Sequence, residues 1–140
     1  MRTVLDASVI VKWYIANPDE LDAEQALAIL EGIEANTIAL IQPPHSLAEV
    51  AAVLARELPE QAADYFLELS RIFDANTSCP SNAVYQCAIE LATRFNHHLF
   101  DTLYHAVALE ENATLITADR RYYEKSKPLG GIMLLENIAI

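Results

Sequence analysis

The sequence predicts an α/β fold, a helix-rich sandwich on a parallel sheet, and three observations carry that prediction. The chain opens on an extended apolar run, residues 2–6, that passes straight into a helical pattern at Ala7. A strand feeding directly into a helix is the unit from which parallel sheets are built. Further β-type runs stand at residues 37–42, 113–117 and 132–135, and apolar residues between them recur at three- and four-residue spacing, the period of an amphipathic helix. Ligands of such sheets bind beyond the carboxyl ends of the strands, where the first run ends in Asp6.

A chain of 140 residues suits one domain, residues 1–140, with a core of its own. At 53% hydrophobic with few glycines, it should fold. No apolar run approaches the ~20 residues that span a bilayer. The N-terminus also lacks the basic-then-apolar layout of a secretory signal, so a cytoplasmic location is expected. Cys79 and Cys87 form no CxxC pair and read as small buried hydrophobes in a reducing compartment. Nine Lys and Arg against twenty acids leave a net charge of −11. Proteins that hold nucleic acid by general surface charge carry the opposite balance. A polyanionic substrate would need a metal and a few local cations, or a basic partner.

Taken in order, the first strand gives way to a helix over residues 7–16. Asn17-Pro18 restarts a helix to about Ala35, with Asn17 as N-cap and Pro18 at the first helical position. Leu27, Leu30 and Ile33 form its stripe. Pro43-Pro44 stops the second strand. Ser46-Leu-Ala-Glu49 then opens a helix as a capping box, and Leu58-Pro59 breaks that helix. Residues 59–73 make another helix, and residues 77–79 a short third strand. Ser81 caps a helix through Phe95, Asp101 starts one to about Glu111, and residues 113–117, ATLIT, are a strand. Asp119 caps a helical turn to Lys125; Pro128 and Gly130-Gly131 turn the chain into the last strand.

Topology predicts that four acids meet. Asp6 ends the first strand, Glu49 lies one helical turn beyond the second, and Asp119 comes two residues after Thr117. Asp101 begins the helix that descends to the start of ATLIT. A helix entering a parallel strand runs antiparallel to it, so its N-terminus lies at the strands' carboxyl edge. Two carboxylates ~4 Å apart repel by about 4 kcal/mol at an effective dielectric of ~20. Such crowding persists where a cation offsets it or a proton is bound. Oxygen-only ligands select Mg²⁺ or Mn²⁺ over zinc. Ser8, two residues past Asp6, could bond a carboxylate or a metal-bound water, and Thr117 could do the same beside Asp119. Taken singly, each acid has a simpler role: Asp6, Asp101 and Asp119 as helix N-caps, and Glu49 as the partner of Ser46 in the capping box.

These residues resemble a known family. The apolar run ending in Asp6-x-Ser8 resembles the opening motif of PIN domains, as does Ser46-x-x-Glu49 with its apolar helix. Phe100-Asp-Thr-Leu-Tyr-His-Ala-Val-Ala108 is similar to the third acidic block, and Leu115-Ile-Thr-Ala-Asp119 with Arg120 and Tyr123 to the fourth. The resemblance covers essentially the whole chain and is nearest to VapC-type toxins of toxin–antitoxin pairs. It implies a three-layer sandwich on a mainly parallel, roughly five-stranded sheet. It also implies a Mg²⁺- or Mn²⁺-dependent endoribonuclease with Asp6, Glu49, Asp101 and Asp119 as catalytic and metal-binding acids, and Ser8 and Thr117 in support. A homodimer and a small antitoxin partner are implied too. His97-His98 and the acidity depart from the pattern.

Lys12, Arg120 and Arg121 are the cations nearest the acids in sequence, with phosphate contact set against solvated surface. Trp13 and Tyr14 offer base stacking or core packing. His105, four residues after Asp101, shares its helix face but also fits a buried role, and His45, His97 and His98 lack zinc spacing. Two other functions stand beside the ribonuclease. One is a catalytically inactive binding or regulatory module of the same fold. The other is a phosphohydrolase with Asp6 as nucleophile, which would want a partner acid where Ser8 stands.

Overall fold

The computed structural model describes residues 1–15, 17, 20 and 22–139. Four strands form one parallel sheet in the order β2-β1-β3-β4. They are β1 (Arg2–Leu5), β2 (Ala39–Leu40), β3 (Thr114–Thr117) and β4 (Ile132–Leu134). β1 sits inside the sheet, with Arg2 opposite Ala39 on one side and Thr3, Val4 and Leu5 opposite Thr114, Leu115 and Ile116 on the other. Val4, Leu5, Leu115 and Ile116 are fully or almost fully buried, as expected of central strands covered by helices on both faces. The expected fifth strand is reduced to one parallel bridge between Gln42 and Thr77. The second strand spans two residues, because Gln42 turns its side chain into the core instead of extending the ladder.

The helices are α1 (Ala7–Ile10), α2 (Lys12–Ile15), α3 (Ala23–Glu34), α4 (His45–Glu57), α5 (Ala62–Asp74), α6 (Asn82–Phe95), α7 (Leu99–Glu110) and α8 (Arg120–Ser126). α3 starts later than the Asn17-Pro18 signal predicts, with Asp22 at its N-cap, and Pro18 lies outside the described residues. Trp13 fastens α2 to α3 by donating its indole N–H to the Ala26 carbonyl at 2.9 Å. Ser81 caps α6 as the sequence predicts, accepting from the Val84 N–H at 3.3 Å. The capping box at Ser46 does not form. α4 begins two residues earlier with Pro44 at the N-cap position, and Ser46 is wholly buried, accepting from Gln42 Nε2 at 2.9 Å.

Asparagines end three helices. Asn36, Asn96 and Asn112 adopt left-handed backbone, with φ of 60°, 48° and 51°, a region that asparagine enters at less cost than most residues. The turn into β4 needs positive φ twice, at Gly130 (72°) and Gly131 (65°), and glycine supplies it. Gly131 then accepts from the Leu115 N–H at 2.8 Å, setting β4 beside β3. No helix among the described residues is long and apolar enough to cross a membrane.

Candidate metal centre

Strand ends and helix starts deliver the predicted acids to one edge of the sheet. Asp6 follows β1 directly, and its N–H donates to the Ile116 carbonyl at 3.0 Å. It stands at the N-cap position of α1, yet its side chain makes no capping bond. Instead Oδ2 accepts from Thr117 Oγ1 at 2.7 Å and from Ser8 Oγ at 2.9 Å. Each hydroxyl also accepts a backbone N–H: Ser8 from Ala118 at 3.1 Å, Thr117 from Asp119 at 2.9 Å. Both hydroxyl protons are thereby committed to one oxygen of Asp6. Burial pushes the Asp6 carboxyl above the ordinary range, and the bonds from Thr117 and Ser8 pull it back.

Gln42 sets the end of β1 in place. Its buried amide accepts from the Leu5 N–H at 2.6 Å and donates to the Leu5 carbonyl at 2.9 Å. One side chain thus takes the place of a neighbouring strand's peptide at the residue before Asp6, satisfying backbone groups that burial would otherwise orphan. Nothing in the sequence marks this position.

Glu49 lies on α4, and its Oε1 accepts from the Tyr104 hydroxyl at 2.7 Å. This contact across to α7, not a capping box, fixes its direction. Burial raises the Glu49 carboxyl, the Tyr104 hydrogen bond lowers it, and the charge of Asp6 raises it again. His45 Nε2 is 3.5 Å from the same oxygen.

Asp101 lies in the first turn of α7, whose N-cap position belongs to His98. It therefore points into the site instead of capping the helix. Burial, followed by the charges of Asp6, Glu49 and Asp119, pushes its carboxyl up to about 7. Asp119 does cap α8, accepting from the Tyr122 N–H on Oδ1 at 3.1 Å.

His97 joins the acids without having been predicted there. Asn96, in its left-handed conformation at the end of α6, turns the chain so that His97 Nε2 lies 3.1 Å from Asp101 Oδ2 and 3.4 Å from Asp119 Oδ2. Among the described residues, His97, Asp101 and Asp119 are the tight group, with potential ligand atoms all within 4.8 Å of one another. Asp6 and Glu49 are not in that tight group; they lie near enough for their charges to raise the Asp101 carboxyl. The only hint in sequence was the unexpected His97-His98 pair.

The cations divide. Lys12 pairs with Glu20 at 2.5 Å and Asp22 at 3.2 Å, and Arg120 pairs with Glu136. Arg121 lines a cavity of about 320 Å³ with Asn96, His97 and His98, next to the acids. Tyr14 packs on Tyr65 with ring centroids 5.0 Å apart, and with Trp13 it lines a separate cavity of about 500 Å³ against α3 and α5. His105 is fully buried, its Nδ1 2.8 Å from the Tyr122 hydroxyl and its Nε2 2.9 Å from the Gly130 carbonyl. It braces α7 against the turn before β4 and does not reach the acids.

The donor set fits a hard divalent ion. Asp101 and Asp119 meet at His97, and protein donors hold Asp6, Glu49 and Asp119 each by a named oxygen. Burial and the charges of the other three acids raise the Asp101 carboxyl to about 7. Such a set calls for an external positive charge, and oriented carboxylates are what Mg²⁺ and Mn²⁺ accept.

Comparison with known proteins agrees with this architecture. No curated protein matches the chain. FitAcB from Neisseria gonorrhoeae superposes with a TM-score of 0.72 at 15% identity, covering 97% of this chain and 99% of that one. VapC20 of Mycobacterium tuberculosis, a sarcin–ricin loop cleaving toxin, gives 0.64 at 16% identity, over 87% and 93%. VapBC2 from Rickettsia felis, bound to a DNA fragment from its promoter, gives 0.62 at 20% identity, over 96% and 97%. At such identities the likeness speaks for the fold. The PIN domain family model matches residues 3–128, a span that runs from β1 past α8 and takes in every acid of the centre, and the chain belongs to the PIN domain family.

Proposed function

We propose that this protein is a divalent-metal-dependent endoribonuclease, the toxin of a toxin–antitoxin pair. The observation that carries the reading is the meeting of Asp101 and Asp119 with His97, their potential ligand atoms all within 4.8 Å of one another, with Asp6 and Glu49 near enough to raise the Asp101 carboxyl. A fold gathers and orients such acids where a cation is to be held. PIN domains are generally nucleases. Among the similar structures, VapC20 is named as a toxin that cleaves the sarcin–ricin loop, and FitAB and VapBC2 are complexes bound to DNA. The cleaving toxin supports RNA as substrate, and the two complexes support a protein partner. A homodimer and a cytoplasmic setting complete the reading.

Asp6, Glu49, Asp101 and Asp119 would hold Mg²⁺ or Mn²⁺. When bound, the ion supplies a water of lowered pKa and stabilises charge growing on the phosphate oxygens. The protein's own part is orientation. Ser8 and Thr117 fix Asp6, Tyr104 fixes Glu49, and the Tyr122 N–H fixes Asp119. Asp101 or Glu49 orients or deprotonates the attacking water. Arg121, lining the cavity beside His97, contacts the phosphate backbone. Lys12 and Arg120, held by acids of their own, contribute less. The phosphohydrolase reading loses ground because Ser8, where a partner acid is wanted, donates to Asp6.

The test is metal titration followed by RNA cleavage, comparing the native chain with Asp6→Asn. Mn²⁺-dependent cleavage by the native chain, lost in the variant, is expected. Equal cleavage by both would remove the mechanism. Binding of a small protein partner without cleavage in excess Mn²⁺ would favour the inactive module.

A further inference from the structure

In the candidate centre Asp6, Glu49 and Asp119 each have an oxygen held by a protein hydrogen-bond donor: Oδ2 by Thr117 and Ser8, Oε1 by Tyr104, and Oδ1 by the Tyr122 N–H. For Asp101 the corresponding neighbour is His97, at 3.1 Å from Oδ2. Two roles are open to an imidazole there: a nitrogen ligand to the ion, or an N–H donor that holds the carboxylate for the ion. They require opposite tautomers. A ligating Nε2 must be bare with its proton on Nδ1, whereas a donating Nε2 carries the proton and leaves Nδ1 as an acceptor.

Lys125 distinguishes the two. Its Nζ lies 3.3 Å from His97 Nδ1 and 3.3 Å from the Asn96 carbonyl. An ammonium has donors only, so Nδ1 facing it must accept, and the single proton of the neutral ring sits on Nε2. The ring is held there from two sides. Its side chain is 8% exposed, and it packs on Tyr122 with centroids 4.8 Å apart. The backbone is fixed by the left-handed Asn96 and by the His97 N–H donating to the Ala92 carbonyl at 3.1 Å. We infer that Lys125 locks His97 as the Nε2–H tautomer, making it a positioning residue that clamps Asp101, and secondarily Asp119, for the metal instead of ligating it. The inference rests on the metal-site reading above. It gives a role to α8: the helix that Asp119 caps also carries the lysine that sets His97.

The test uses the full chain and two readouts other than activity. In ¹⁵N NMR of the metal-free protein, His97 is expected in the Nε2–H form, and that form is expected to persist on adding Mg²⁺. Lys125→Met should shift it toward a tautomer mixture. In Mn²⁺ titrations followed by electron spin resonance, His97→Leu should weaken binding ten- to a hundredfold, the range for losing a group that orients a ligand. His97→Gln, which places an amide N–H near Nε2, should recover most of it and guards against a mere folding defect. Spin-echo spectra of the Mn²⁺ form should show no directly bound nitrogen. A bound nitrogen that disappears in His97→Gln, a switch to Nδ1–H on metal addition, or unchanged Mn²⁺ affinity in His97→Leu would each overturn the inference. Failure of the native chain to bind Mn²⁺ would instead remove the metal reading and leave the tautomer to decide the clamp alone: Nε2–H sustains it, Nδ1–H ends it.

Discussion

Replacing Asp101 with asparagine should stabilise the metal-free protein. The folded chain holds the Asp101 carboxyl at about 7 against an ordinary 3.8. Raising a carboxyl by one pH unit corresponds to about 1.4 kcal/mol, so the full penalty for ionising this group in the fold is somewhat over ~4 kcal/mol. Its side chain is 24% exposed, and solvent and salt screen part of the repulsion, which brings the expected gain to about 2 kcal/mol. The sign follows from linkage. A group whose folded-state value is raised contributes its stability in full below the unfolded value, and loses it as pH rises through the folded one. Asparagine cannot ionise. The gap between Asp101→Asn and the native chain should therefore be close to zero at pH 4 and widest at pH 8. Urea unfolding in EDTA across that range measures it, and at pH 8 the melting point of the variant should lie roughly 6 °C higher. Adding Mn²⁺ should stabilise the native chain and close the gap. Equal stabilities at pH 8, or a gap indifferent to pH, would refute the idea that crowded negative charge is what the fold tolerates here.

Three other outcomes can be measured. Gln42→Met keeps the volume but leaves the Leu5 N–H and carbonyl unpaired in the core, and should cost about 3 kcal/mol in urea unfolding. Tyr104→Phe frees Glu49 Oε1, so Mn²⁺ affinity should fall about tenfold with the far-ultraviolet circular dichroism unchanged. Burial lowers His105, opposed by its bond to Gly130. Its neutral form therefore contributes stability above the ordinary value of 6.5 that is lost as pH falls, and His105→Gln should show a shallower loss between pH 6.5 and 5 in thermal melts.

How much of this could be read in the chain depends on the range of the interactions. Asp6 and Asp119 were legible because each follows a strand, and parallel topology sends strand ends to one edge. Asp101 was legible because an antiparallel helix returns to that edge. Ser8 followed from its nearness to Asp6, whereas Thr117, expected beside Asp119, gives its hydroxyl proton to Asp6 across the β1–β3 pairing. Glu49 was found, but with a local alternative, the capping box, that fails because Pro44 starts α4 early and Gln42 claims Ser46. Gln42 itself, filling the place of a peptide beside Leu5, is a contact across 37 positions with no local signature. His97 depends on a left-handed asparagine and a turn that juxtaposes two helices. The expected fifth strand, one bridge among the described residues, and the start of α3 are differences at element boundaries, where sequence signals fix position least well.

The pairing of β1 with β3 has a consequence for the ribosome. The hydroxyl of Thr117 that fixes Asp6 is supplied 111 positions later, and the strand carrying Asp6 stays half-unpaired until β3 emerges. Because chains are made from the N-terminus at a few residues per second, the centre cannot exist on a nascent polypeptide. The order of synthesis therefore sets the order of assembly: the oxygen of Asp6 is held only after the chain through β3 has been made.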